Sequence, residues 1–189
     1  MRALLVLSLA TVCLAFAPQA VPGGAPTCGG RTATIVGTPG RDTIHGTAAL
    51  DVIVSLGGAD TIYARGGDDI VCAGSGADRV FGGPGWDGLL GQAGDDALVG
   101  ADGGDYLSGG TGADTASGGR GNDALDGGSG ADTLRGGAGG DEVWGRGGPD
   151  RLYGNAGRDR VDGGPDTDRC DGGTGTDDLT TCETVLGAP

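Results

Sequence analysis

The chain has 189 residues, 46 of them Gly and only 4% aromatic, too little bulk for an ordinary layered core. Gly does not recur at every third residue, which excludes a collagen triple helix. Twenty-six acids against twelve bases, all of them Arg, give a formal charge of −14, which argues against nucleic acid or an anionic membrane surface as partner.

From the N-terminus, Met1-Arg2 is a short basic start, and residues 3–17 are uncharged and largely apolar, with small residues and prolines after them as far as Pro26. The run is short and lacks a basic stop-transfer flank, so residues 1–25 read as a cleaved export signal, with the cleavage point open. Removing it would leave a secreted, extracellular chain with no membrane span. Cys13 would leave with the signal, and Cys28, Cys72, Cys170 and Cys182 remain. In an oxidising compartment four cysteines default to two disulfides; zinc would want a short paired spacing that they lack. Of the three possible connectivities, Cys28–Cys72 and Cys170–Cys182 are favoured. The first would tie an N-terminal cap, residues 26–36, to the early coils. The second would clip a tail, residues 181–189, to the last ones.

Between cap and tail, residues 37–180 divide into sixteen nonapeptides without insertion or deletion. The sixth position is always aspartate: Asp42, Asp51, Asp60, Asp69, Asp78, Asp87, Asp96, Asp105, Asp114, Asp123, Asp132, Asp141, Asp150, Asp159, Asp168 and Asp177. The eighth is apolar, from Ile44 and Ile53 to Val161, Cys170 and Leu179, with Ala116 and Cys170 the two that are not large aliphatics. One unit reads Gly127-Gly128-Ser129-Gly130-Ala131-Asp132-Thr133-Leu134-Arg135. Six positions are expected to form a Gly-rich turn and three a short strand whose middle side chain points inward. So short a strand buries little alone; coils must stack and share a thin aliphatic core.

Sixteen units in phase resemble the RTX (haemolysin-type) repeat G-G-x-G-x-D-x-U-x, a calcium-binding repeat of parallel β-helices. Cys28 with Ala33-Thr34-Ile35-Val36-Gly37-Thr38, then Cys72, and Asp168-Arg169-Cys170-Asp171-Gly172-Gly173 through Thr181-Cys182-Glu183, resemble a secreted, actinobacterial-type group of that family. The resemblance implies an all-β, right-handed parallel β-roll (β-solenoid) with two repeats per coil, here about eight coils. It also implies multiple Ca²⁺ ions, with the sixteen aspartates as metal ligands. Hard carboxylate and carbonyl oxygens in a flexible turn suit Ca²⁺ better than Mg²⁺. Two repeats per coil would split the aspartates into two columns, one from Asp42 and one from Asp51. Sites are expected to be best over residues 82–148, where Gly is densest. In the early repeats Thr38, Thr47, Leu56 and Arg65 replace the second Gly, Ala49 replaces the third, and Asp166 departs likewise in repeat fifteen.

Other chemistries fit poorly. Stretches such as Gly119-Arg120-Gly121 lack the strand-to-helix context and the lysine of a phosphate loop. The single histidine, His45, falls at an outward ninth position, and no segment outside the repeats is long enough for an active site, so no enzyme is expected. Ninth positions place His45, Tyr63, Phe81 and Val99 along one face, and Val54, Cys72 and Leu90 along the other. The N-terminal segment is expected to cover part of this apolar surface. What stays open would suit a cell-surface protein or glycan, as in a structural or adhesive module. The alternative is an extracellular calcium buffer without a macromolecular partner.

Overall fold

The computed structural model describes residues 24–186, so the expected signal lies outside it but for its last two positions. Among the described residues every regular element is a strand. Alternate nonapeptides enter alternate sheets. One sheet runs from Ile35–Val36 to Asp178–Thr180 with nine strands; the other runs from Thr43–His45 to Thr184–Leu186 with ten. Consecutive strands in each are parallel and, save for the last pair of the ten-stranded sheet, eighteen residues apart, as in Ile44↔Ile62, Leu98↔Ala116 and Val71↔Leu89. The result is a parallel β-solenoid of about eight coils.

Side chains alternate across a strand, so the eighth position faces in while the seventh and ninth face out. Ile44, Ile62, Val80, Leu98, Ala116, Leu134, Leu152 and Cys170 form one inward ladder, and Ile53, Val71, Leu89, Leu107, Leu125, Val143 and Val161 the other. The two ladders meet as a single core. Ile35 and Leu179, partly buried, pack at its ends.

Three-residue strands were the expectation, and the early coils have them, at Thr43–His45, Val52–Val54 and Thr61–Tyr63. From Ile70–Ser75 onward the strands are mostly six residues long, as in Arg79–Pro84 and Ala97–Asp102. The ladder pairs the last three residues of one repeat, passes over the first of the next, and resumes at its second and third. Val99↔Phe81 is succeeded by Ala101↔Gly83. A positive φ at the second position, +112° at Gly83, makes this detour possible. Only the Gly-x-Asp segment then remains as turn.

Both ends are closed covalently. The hairpin of Thr27–Cys28 with Arg31–Thr32 lies against the nine-stranded sheet, where Cys28 bonds to Cys72 with 5.8 Å between Cα atoms. Cys28, Val52, Val54 and Cys72 form a second buried cluster, flanked by Ala33, Ile70 and Leu90. The N-terminal segment thus covers the Val54–Cys72–Leu90 side. On the other side His45, Tyr63 and Phe81 stay uncovered and stack on one another, with ring centroids 5.1 and 5.0 Å apart. At the far end Cys170 bonds to Cys182 across 5.9 Å. The favoured connectivity is the one in the structure.

Backbone strain arises from the detour. Gln92, at a second position, holds φ +78° without being Gly, so Gln92→Gly is expected to stabilise the roll by about 1 kcal/mol. At a fourth position, Gly121 has φ +127° and a Cβ there would strike the Gly103 carbonyl oxygen. Gly121→Ala is expected to cost about 2 kcal/mol or more. Urea midpoints of the two variants should move in opposite directions.

Candidate metal centre

The sixth-position aspartate stands where the turn ends and the strand begins, and one of its oxygens ties each coil to its neighbour. Oδ1 of Asp60 accepts the backbone N–H of Asp42 at 2.8 Å; Oδ1 of Asp69 accepts that of Asp51 at 2.7 Å. The same bond recurs every eighteen residues, through Asp150 N–H to Asp168 and Asp159 N–H to Asp177. The sixteen aspartates therefore form the two expected columns. Asp51 to Asp168 are buried, while Asp42 and Asp177, at the ends, are half-buried.

The second oxygen is different. In thirteen aspartates, every one from Asp60 to Asp168, Oδ2 is buried and has no hydrogen-bond partner. Buried polar atoms are nearly always paired, and an orphaned one calls for a ligand. Around Oδ2 the first-position Gly supplies the floor. A Cβ on Gly127 would stand 2.5 Å from Asp132 Oδ2 and 2.8 Å from the carbonyl oxygen of Gly145, one coil on. Gly154 repeats this at 2.6 Å from both Asp159 Oδ2 and the Gly172 oxygen. A carboxylate oxygen and a carbonyl oxygen thus flank each of these glycines, and no side chain fits there. Among the described residues no three His, Cys, Asp or Glu side chains converge on one point. Any ion would have to be held by one or two carboxylates and several backbone carbonyls, a set of hard oxygens matching Ca²⁺.

Burial raises the affinity of these carboxylates for protons. Desolvation is the largest cause; the N–H donated by the preceding coil's aspartate opposes it, and charges in the same column add to it. Asp87 and Asp96 are pushed up to about 7. Asp105, Asp114, Asp141 and Asp150 are pushed up to about 6.

Glu183, outside the sixteen expected ligands, completes one column. No aspartate stands eighteen residues beyond Asp168. Instead the final turn is three residues shorter, Cys170 pairs in register with Val185, and Glu183 Oε2 accepts the Asp168 N–H. Its additional methylene spans the shorter turn. An acid three residues ahead of its place, beside Cys182, is the one signal of this in the sequence.

The raised values fix a pH dependence. An acid whose pKa is higher folded than unfolded stabilises the fold while protonated and loses that contribution as the pH rises through the folded value. In metal-stripped buffer the roll should be most stable near pH 4 and weaken as the pH rises to about 7. With calcium present the sign should reverse, because protons and cations compete for the same oxygens. Urea titrations at both pH values, with and without calcium, check this crossing.

Comparison with known proteins agrees with this geometry. The family described as RTX calcium-binding nonapeptide repeat (4 copies) matches at residues 29–62, 36–71, 45–80, 66–98, 81–116, 99–134, 108–143 and 144–179. No curated protein matches the chain. With nearly the whole solenoid covered by these matches, the chain belongs to the RTX calcium-binding nonapeptide-repeat family.

Proposed function

We propose that this chain is a secreted module that folds on binding several Ca²⁺ ions and serves as a structural or adhesive element outside the cell. The observation that carries the reading is the row of buried, partnerless Oδ2 atoms above glycines that leave carbonyl oxygens uncovered. Bound cations would neutralise columns of carboxylates that otherwise repel one another from coil to coil. An ion that binds only the folded form adds about 4 kcal/mol per site at a thousandfold excess over its Kd. The thin core, one aliphatic side chain per repeat, leaves room for a contribution of that size to decide whether the chain is folded.

Two disulfides suit an oxidising compartment, and the basic-then-apolar N-terminus suits export. The aromatic column of His45, Tyr63 and Phe81 is the surface best placed for a cell-surface protein or glycan. Tyr63 is 38% exposed and the cap covers the opposite sheet.

Far-UV circular dichroism of residues 26–189 should show β signal rising cooperatively as calcium replaces chelator, with little response to magnesium. A chain fully folded in chelator would overturn the reading. Gly118 has an ordinary φ, yet a Cβ there would meet Asp123 Oδ2. Gly118→Ala should lower the calorimetric calcium stoichiometry by at least one while the remaining sites still fold the chain. Tyr63→Ala with Phe81→Ala should abolish sedimentation with purified cell-wall glycan without altering the calcium-induced signal. Indifference to that pair would leave the calcium-buffer role.

A further inference from the structure

We infer that the roll is built in two parts: a metal-independent start over residues 37–81, and a metal-dependent array whose first working cradle is that of Asp87. This rests on the calcium reading above and assigns which turns take the cation. Asp60, Asp69 and Asp78 then act as coil ties, and Asp42 and Asp51 close their own turns, none of them as ligands.

In the first two repeats the second carboxylate oxygen is already satisfied. Asp42 Oδ2 accepts the Thr38 N–H at 2.6 Å and the Thr38 hydroxyl at 3.0 Å. Asp51 Oδ2 accepts the corresponding groups of Thr47 at 2.7 and 2.9 Å. The backbone differs to match. From Leu56 to Gly173 every second-position residue has positive φ, including Arg65, Gln92, Ala101, Arg146 and Asn155, whereas Thr38 and Thr47 do not. Threonine at these two places therefore marks a different turn, one that closes on its own aspartate.

The next three repeats keep the common turn but lose the glycine floor. Their first positions are Ser55, Ala64 and Ala73, all fully buried. A β-carbon thus occupies the place that Gly leaves open from Gly82 onward. The Ser55 hydroxyl donates to the carbonyl of Ala73 one coil on. In later coils the carbonyl at that place is the one that shares the glycine's flank with Oδ2. What would be an ion's oxygen is here taken by a side chain.

The same stretch carries the support that a metal-free segment needs. Val52–Val54 is buried along its whole length, and the cluster of Cys28, Val52, Val54 and Cys72 adds a second apolar layer outside the thin core. Thr34 brackets Val52, donating to its carbonyl and accepting its N–H. The Cys28–Cys72 bond closes this region. Among the described residues beyond Gly82 no comparable outer layer exists, and ten of the thirteen orphaned oxygens lie there.

Hydrogen exchange read by mass spectrometry on the oxidised mature chain, with and without calcium at about pH 7.5, tests the division. Peptides up to Phe81 should be protected in both conditions, and those beyond Gly82 only with calcium. Thr38→Val with Thr47→Val should speed exchange of the start at least tenfold in metal-free buffer and leave the distal coils in calcium unchanged. Ala64→Gly with Ala73→Gly should open new cradles and raise the calcium stoichiometry by up to two. Exchange as fast in the start as in the rest without calcium, or an unchanged stoichiometry in the glycine variant, overturns the division while calcium-dependent folding stands. Protection of the whole roll without calcium overturns the calcium reading itself.

Discussion

The bond from one aspartate oxygen to the backbone N–H of the aspartate eighteen residues earlier is what the structure depends on. Strand ladders alone would hold the two sheets, but the turns between them have few backbone partners of their own. Oδ1 supplies one at the entry to each strand and so fixes the register of successive turns. Making that bond buries the carboxylate, and from Asp60 to Asp168 the other oxygen is left without a partner. From Asp87 onward, where the first position is Gly, the tie that stacks the coils therefore also leaves an oxygen facing the cradle proposed for a cation.

That demand falls on a molecule with little else in reserve. Each repeat places one aliphatic side chain in the core, and roughly 1.5–3 kcal/mol is what burying such a side chain contributes. Gly is the commonest residue at the remaining positions, and its ordering costs more than that of other residues. The fold compensates with hydrogen bonding so regular that a parallel ladder continues through the glycines.

Much of this was legible in the sequence. Asp at the sixth position and an aliphatic at the eighth of each repeat implied the turn and the inward strand, while two repeats per coil, and with them the two columns, followed from the resemblance to RTX repeats. Strand length was not legible. Nothing in Gly-Gly-x announces that its second residue will bend back and rejoin the ladder, since the partner for that bond lies in another coil. Glu183 was hidden because the last turn is shortened, which breaks the phase on which the other acids align. Thr38 and Thr47 stood out as departures from Gly, but only their hydrogen bonds show that they replace one mode of satisfying the carboxylate with another. Ser55, Ala64 and Ala73 are inconspicuous in the sequence because they are nearly as small as Gly, yet each puts a β-carbon where Gly leaves space in the later coils.

The eighteen-residue offset between partners also governs how such a molecule can change length. Deleting or duplicating eighteen residues keeps each side chain on its own sheet and every aspartate above another of its column. A nine-residue change preserves the consensus yet exchanges the two sheets for every later coil. Inserted after Tyr63, it would move Phe81 from beside the tyrosine to the opposite face and bring Cys72 out from under Cys28. A gene built from nonapeptides is thus constrained to grow by pairs.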